Sequence, residues 1–298
     1  METYKHQVAL LLKVLPEVAK EDCFALHGGT AINLFVRNMP RLSVDIDLTY
    51  IPLEDRAASF EHINTALQNI KERIHKVDNT IKVVPQLDKL KLQIQDAKAL
   101  IKIEVNQGIR GLISTIETKE LCEKAEEQFD VFCMVPCVPL HQLYGGKICA
   151  ALDRQHPRDL FDVKYLLENE GFTEEIKKGF LFCLLSSKRP IIEMLSPSLT
   201  NQEQAYNNQF VGMTKEAFSY ADFEYTRVQM IETIHHSLTV EDRLFIVNFE
   251  NATPDWSNYN FAEFPAVKWK LQNVEKLKLS NPEKHKKGIE ELKNKLER

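Results

Sequence analysis

Glycine and proline are scarce in this 298-residue chain, at 10 and 12 residues. A collagenous or low-complexity chain needs far more of both. No charge sign dominates: 38 Lys+Arg stand against 43 Asp+Glu, a formal net of −5. With 44% apolar residues, that balance excludes intrinsic disorder, which goes with low hydrophobicity and a large net charge. It also argues against a protein that coats nucleic acid indiscriminately, while leaving room for a local basic groove. Long apolar runs are missing. The most apolar stretch, Phe180 to Leu185, is flanked by Lys177-Lys178 and Lys188-Arg189, far short of the ~20 residues a membrane span requires. The opening METYKHQVALLLKVLPEVAKED is broken by Lys13 and Glu17 and has no small-residue cleavage site, so it does not read as a signal peptide. The 6 cysteines lack the spacing of a disulfide scaffold. Reduced thiols in a cytoplasm, and no membrane partner, are expected.

The chain does carry clear patterning. Val8, Leu11, Leu12, Leu15 and Val18 fall at helical spacing. Residues 23–26 read as a short strand meeting the turn His27-Gly28-Gly29, and 30–37 as a helix. Residues 43–49 alternate polar and apolar, as a half-buried strand does. A long amphipathic helix over 54–75 precedes three β-like runs, 80–84, 89–95 and 100–105, spaced as a meander. Residues 131–140 suggest a loop or short strand. Helices are expected over 140–153 and 158–168, joined at Gln155-His156-Pro157, and only helical signals follow residue 172. The expected architecture is an α+β or α/β N-terminal core over 1–135 with a short mixed sheet, then a mainly helical domain over 136–298. The stretch 264–298 is locally basic. It is read as a solvated helix, with RNA steering as the alternative.

The chemistry concentrates between His27 and Asp47. Residues i and i+2 of a strand share a face, so Asp45 and Asp47 project side by side while Val44, Ile46 and Leu48 face the core. Paired carboxylates suit Mg²⁺, a hard cation that takes oxygen ligands; a solvated strand face is the alternative. Gly28-Gly29 permits close backbone approach. Thr30 opens the following helix, whose first N–H groups and dipole favour phosphate; a plain tight turn with Thr30 as N-cap is the alternative. Glu104, on the polar face of the 100–105 run, is a candidate third acid or proton acceptor, set against an ordinary Lys/Glu strand face. Lys147, Ala151 and Arg154 share one helix face, and Arg158, Asp159 and Asp162 start the next helix. Such a junction can clamp a triphosphate or form an inter-helix ion-pair network. Cys133, Cys137 and His141 are read as buried residues rather than a zinc site, and Trp256, Tyr259, Phe261, Phe264 and Trp269 as a packed C-terminal lid, with base stacking as the alternative.

The strings HGGTAINLF, RLSVDIDL, GGKICAALDR and RDLFDV, in this order over roughly residues 23–168, resemble the AbiEii/AbiGii-type toxins. These include the MenT enzymes and belong to the DNA polymerase β nucleotidyltransferase superfamily. The resemblance implies a nucleotidyltransferase fold and a toxin of a toxin–antitoxin or abortive-infection (phage-defence) system. It implies binding of a nucleoside triphosphate with Mg²⁺ or Mn²⁺, and transfer of a nucleotide to RNA, notably the 3′ end of tRNA. It also implies a cognate antitoxin. By residue it places Gly29 and Thr30 on the phosphate-binding turn, Ser43 just before the metal pair Asp45 and Asp47, Lys147 on the family lysine and Asp159 on its later aspartate; the turn as read here includes Gly28 in holding the β- and γ-phosphates. Glu104 is a looser match. Arg154 and Arg158 join the nucleotide-binding set. Transfer to a protein or small-molecule hydroxyl, and a non-catalytic nucleotide-binding module, are the alternatives.

Overall fold

A computed structural model of the chain describes residues 2–297. It divides into two units. The first takes the residues up to Pro139 together with Phe210–Ala217; the second takes Leu140–Gln209 and the residues from Phe218 on.

In the first unit, helix α1 (Glu2–Val18) buries Val8, Leu11, Leu12, Leu15 and Val18. Strand β1 (Phe24–His27) passes without a loop into helix α2 (Gly28–Thr30), which runs on as a π-helical stretch, Ala31–Val36. Strand β2 (Asp45–Tyr50) buries Ile46 and Leu48 and leaves Asp45 and Asp47 half-buried. Helix α3 (Arg56–Val77) is N-capped by Asp55, which accepts from Ala58 N at 3.0 Å. It ends with His75 and Lys76, where cations suit the helix dipole. Strands β3 (Lys82–Gln86), β4 (Lys91–Gln95) and β5 (Leu100–Arg110) form the antiparallel meander. Strand β6 (Glu117–Glu120), helix α4 (Glu123–Phe129) and strand β7 (Met134–Cys137) follow.

The seven strands make one sheet in the order β3-β4-β5-β2-β1-β7-β6. β2 runs parallel to β5, and β1 parallel to β7; the other pairs are antiparallel. The sheet is mixed, as expected. The central strands thus bring His27, Asp47 and Glu104 into one row, because His27 pairs with Asp47 and Asp47 with Glu104.

The strip Phe210–Ala217 completes this unit. Leu42 N donates to the Met213 carbonyl at 2.7 Å, and Arg41 and Thr214 form an isolated antiparallel bridge. Thr214 Oγ1 donates to the Pro40 carbonyl at 2.7 Å, and Phe210 and Met213 are buried. A boundary at 135/136 assigns this strip to the helical domain. Its partners lie up to 174 residues away in sequence, a distance no local pattern reports.

Among the described residues the second unit is helical: α5 (Leu140–Arg154), α6 (Pro157–Asn169), α7 (Glu174–Ser186), α8 (Ile191–Leu195), the single turn α9 (Glu203–Ala205), α10 (Tyr220–Ser237), α11 (Val240–Glu250), α12 (Pro265–Ser280) and α13 (Pro282–Leu296). Capping boxes at Ser219/Asp222 and Thr239/Asp242 start α10 and α11. The backbones of α5 and α7 touch: a Cβ on Gly145 would overlap the Gly179 backbone, and one on Gly179 the His141 carbonyl. Phe182 packs on Phe261 and Phe264 at 5.4 and 4.6 Å between ring centres, and Phe245 on Trp256 and Tyr259. Within the C-terminal aromatic run Phe261 and Phe264 are core, Trp256 and Tyr259 are half-buried, and Trp269 is exposed. Among the described residues no helix is long and apolar enough to cross a membrane.

Candidate active site

The turn after β1 is built around its two glycines. Gly28 has φ +76°, where an L side chain is strained, and a Cβ there would run into the Asp47 carboxylate. A Cβ on Gly29 would lie 2.7 Å from a terminal nitrogen of Arg41 and 3.0 Å from Ser43 Oγ. Backbone, carboxylate, guanidinium and hydroxyl therefore meet with no room for a side chain at either position.

Thr30 closes the short helix that opens at Gly28. It is fully buried, and its hydroxyl donates to the Asp45 carbonyl at 2.5 Å and lies 3.0 Å from Ser43 Oγ. Its side chain staples the turn to the start of β2. Ser43 is also buried. The helix also begins two residues earlier than expected, at Gly28, with His27 as its N-cap residue. Asn33 Nδ2 donates back to the Gly29 carbonyl at 2.9 Å. These bonds fix the turn against the strand that carries the aspartates.

Asp45 and Asp47 lie on one face of β2, half-buried beside that turn. Glu104 is the strand neighbour of Asp47, as the notion of a third acid requires. Its carboxylate, however, is engaged with Lys91 Nζ at 2.5 Å across the β4–β5 pair. Among the described residues no group of three or more His, Cys, Asp or Glu is arranged to hold a metal. The donor set therefore fits a site of two carboxylates rather than three. Two suffice for Mg²⁺, which keeps several waters and takes the rest of its shell from substrate phosphates.

In the second unit the charges at the α5–α6 junction close on one another. Lys147 Nζ lies 2.8 Å from Asp159 Oδ1 and 3.0 Å from Asp162 Oδ2, and all three side chains are at most 5% exposed. Arg154 grips Asp159 through Nε to Oδ2 at 2.6 Å and Nη2 to Oδ1 at 3.0 Å. Burial alone would raise the Asp159 carboxyl, but Lys147 and Arg154 outweigh it and hold it well below the carboxylate range. Arg154 is the member that reaches solvent, with 59% of its side chain exposed. The arrangement matches the ion-pair alternative for Lys147; a lysine so enclosed positions its neighbours.

The junction itself is held by unusual backbone. Gln155 has φ +50° and is buried. Its amide donates to the Ser198 carbonyl at 2.8 Å, while its oxygen accepts from Thr200 N and Arg227 Nη1. His156 caps α6 by accepting from Arg158 N at 3.1 Å, and burial lowers its basicity. The thiols of Cys133, Cys137 and Cys149 are buried. Burial pushes Cys133 up to about 11 and Cys137 to about 12, which makes them poor nucleophiles.

Lys91 escapes a reading by motif, because its place opposite Glu104 depends on strand register. Arg41 and Asp162 stand in the strings RLSVDIDL and RDLFDV, but their partners do not: Arg41 packs under the turn, and Asp162 becomes the second partner of Lys147 only through the way two helices cross.

The comparisons bear on this geometry. The family model for the nucleotidyl transferase AbiEii toxin of type IV toxin–antitoxin systems matches residues 9–273. No curated protein matches the sequence. Among solved structures, the fold is similar to MenT4, a nucleotidyltransferase toxin from Mycobacterium tuberculosis H37Rv. The TM-score is 0.63 and the identity 12%, over 91% of this chain and 93% of that one. At that identity the likeness speaks for the fold alone; membership rests on the family match, which spans both carboxylate strand and lysine helix. The chain belongs to the AbiEii family of nucleotidyltransferase toxins of type IV toxin–antitoxin systems.

Proposed function

We propose that this enzyme transfers a nucleoside monophosphate from a nucleoside triphosphate to the 3′-hydroxyl of RNA, with tRNA as the acceptor. The observation that carries the reading is the placement of Asp45 and Asp47 on one face of β2, locked to the Gly28-Gly29 turn by register and by the Thr30 hydroxyl. Backbone N–H groups of that turn, at the start of a helix, are suited to the β- and γ-phosphates. Mg²⁺, which Asp45 and Asp47 would hold, supplies charge neutralisation at the reacting phosphate. The hydroxyl oxygen bonds to the α-phosphorus, the bond to the β-phosphate oxygen breaks, and pyrophosphate leaves. Glu104, the strand neighbour of Asp47, is the proposed acceptor of the hydroxyl proton, which requires that it leave its pairing with Lys91. Arg154, clamped by Asp159 and exposed, offers a guanidinium to phosphate oxygens, with Lys147 holding Asp159 in place and Arg158 as a further cation. The family's toxin–antitoxin context implies a cognate antitoxin.

The test is transfer of label from each of the four α-³²P nucleoside triphosphates to total RNA with Mg²⁺. Label in a tRNA-sized band, reduced at least ~100-fold by Asp45→Asn, is expected, the scale on which loss of a charge-stabilising group acts. Label appearing in protein or in a small molecule instead would overturn the RNA acceptor.

A further inference from the structure

The first unit contains a second feature that the reaction above does not use. Beside the loop leading to β2 is a cleft of about 50 Å³, lined by Lys5, Arg41, Lys124 and Lys215, with Gln128 and Thr214. Four cations line it and no carboxylate does, in a chain whose net charge is −5. The cations come from α1, the loop before β2, α4 and the strip Phe210–Ala217. Their convergence is therefore a product of the fold rather than of one basic run. The positions are fixed by backbone: Lys124 Nζ donates to the Met39 carbonyl at 3.1 Å, Lys124 N to Asn38 Oδ1 at 2.9 Å, and Leu42 N to the Met213 carbonyl. Lys5 sits 4.0 Å from Glu2, whose side chain is 77% exposed and stands outside the lining.

We infer that this cleft binds the phosphodiester backbone of the RNA acceptor. Chemistry is one argument. Lysine ammonium groups on separate elements are point charges, suited to backbone phosphates that carry no sequence information. Continuity is another. Arg41 lines the cleft and also places its guanidinium against Gly29 of the catalytic turn. A strand whose phosphates follow the cleft is thereby led to the turn beside Asp45 and Asp47. The inference rests on RNA being the acceptor.

The experiment is binding of a fluorescein-labelled tRNA transcript to the full chain, by anisotropy across a salt series and without nucleotide. The triple variant Lys5→Gln, Lys124→Gln, Lys215→Gln is compared with wild type. Arg41 is left intact because it is buried under the turn. Each neutralised phosphate contact contributes about 0.7–0.9 to the slope of log affinity against log salt. The triple variant should bind about tenfold or more weakly at low salt, with a slope shallower by about 2–3, while melting shifts on adding each triphosphate stay as in wild type. Unchanged tRNA affinity and slope would overturn the inference. So would wild-type protein that does not bind tRNA, or a loss confined to triphosphate binding, which would assign the cations to the free nucleotide. Loss on Lys286→Gln, Lys287→Gln, Lys293→Gln with the cleft variant unaffected would place the contact on α13 instead. Because no nucleotide is present, binding that persists where label transfer fails counts against the proposed reaction and not against the cleft.

Discussion

Lys147, Asp159 and Asp162 form a buried cluster in which two carboxylates share one ammonium. Asp159→Asn leaves Lys147 paired with Asp162 but removes the charged hydrogen bonds that Asp159 accepts, interactions that contribute about 1.5–3 kcal/mol. The variant is therefore expected to destabilise the protein by about that much at neutral pH, measured by urea unfolding. The pH dependence has a definite sign. Lys147 and Arg154, outweighing burial, hold the folded Asp159 carboxyl below its ordinary value of 3.8. Its contribution is thus complete above that value and is lost as pH falls below it, because the unfolded chain takes up the proton first. The gap between wild type and Asp159→Asn should narrow below pH 4; a constant gap from pH 6 to pH 3 would contradict the assignment. Arg154 also grips Asp159, yet its side chain lies mostly in water, where an ion pair contributes about 0–1 kcal/mol. Its loss should be felt in nucleotide handling more than in folding.

Helices and strands were legible where a face repeats. The alternation that places Asp45 and Asp47 together, the helical stripe of α1 and the 80–105 meander all follow from one-sided burial, which writes a period into the chain. β6 and α4 write none. β6 is Glu-Thr-Lys-Glu, strand-like only because it pairs with β7, and α4 buries a single residue, Ala125. The π-helical stretch after Thr30 is equally silent, since its buried side chains are those an α-helix would also bury. The site divides the same way. Its carboxylate pair and glycine turn stand in the sequence, while the pairings of Lys91 and Asp162 come from register and crossing geometry. The α5–α7 contact is another such case and can be tested. Gly179→Ala forces a Cβ onto the His141 carbonyl and should cost about 1–3 kcal/mol or more, as overpacking does. Gly288→Ala on α13, where a Cβ meets nothing within 4 Å, should instead stabilise by about 0.4–1 kcal/mol. Thermal melts of the two variants should move in opposite directions.

At the scale of the whole molecule, the chain leaves the first unit after Pro139, returns for Phe210–Ala217 and leaves again. The returning strip is anchored by Met213, 1% exposed, whose carbonyl receives the Leu42 amide. Met213→Ala should cost about 2–5 kcal/mol as a buried deletion and speed hydrogen exchange at the Leu42 amide. Val211→Ala, at a position 55% exposed, should stay within about 0.5 kcal/mol of wild type. Equal exchange at Leu42 in both variants would separate the strip from the edge it covers. The strip also sets an order on synthesis. A ribosome that has made Asp45, Asp47 and the glycine turn has still to translate some 170 residues before Met213 can close the loop beside them, and Lys215 arrives later still. A nascent or prematurely terminated chain therefore carries the Asp45–Asp47 pair without the last wall of its basic cleft, which closes only once Met213, Thr214 and Lys215 have been added.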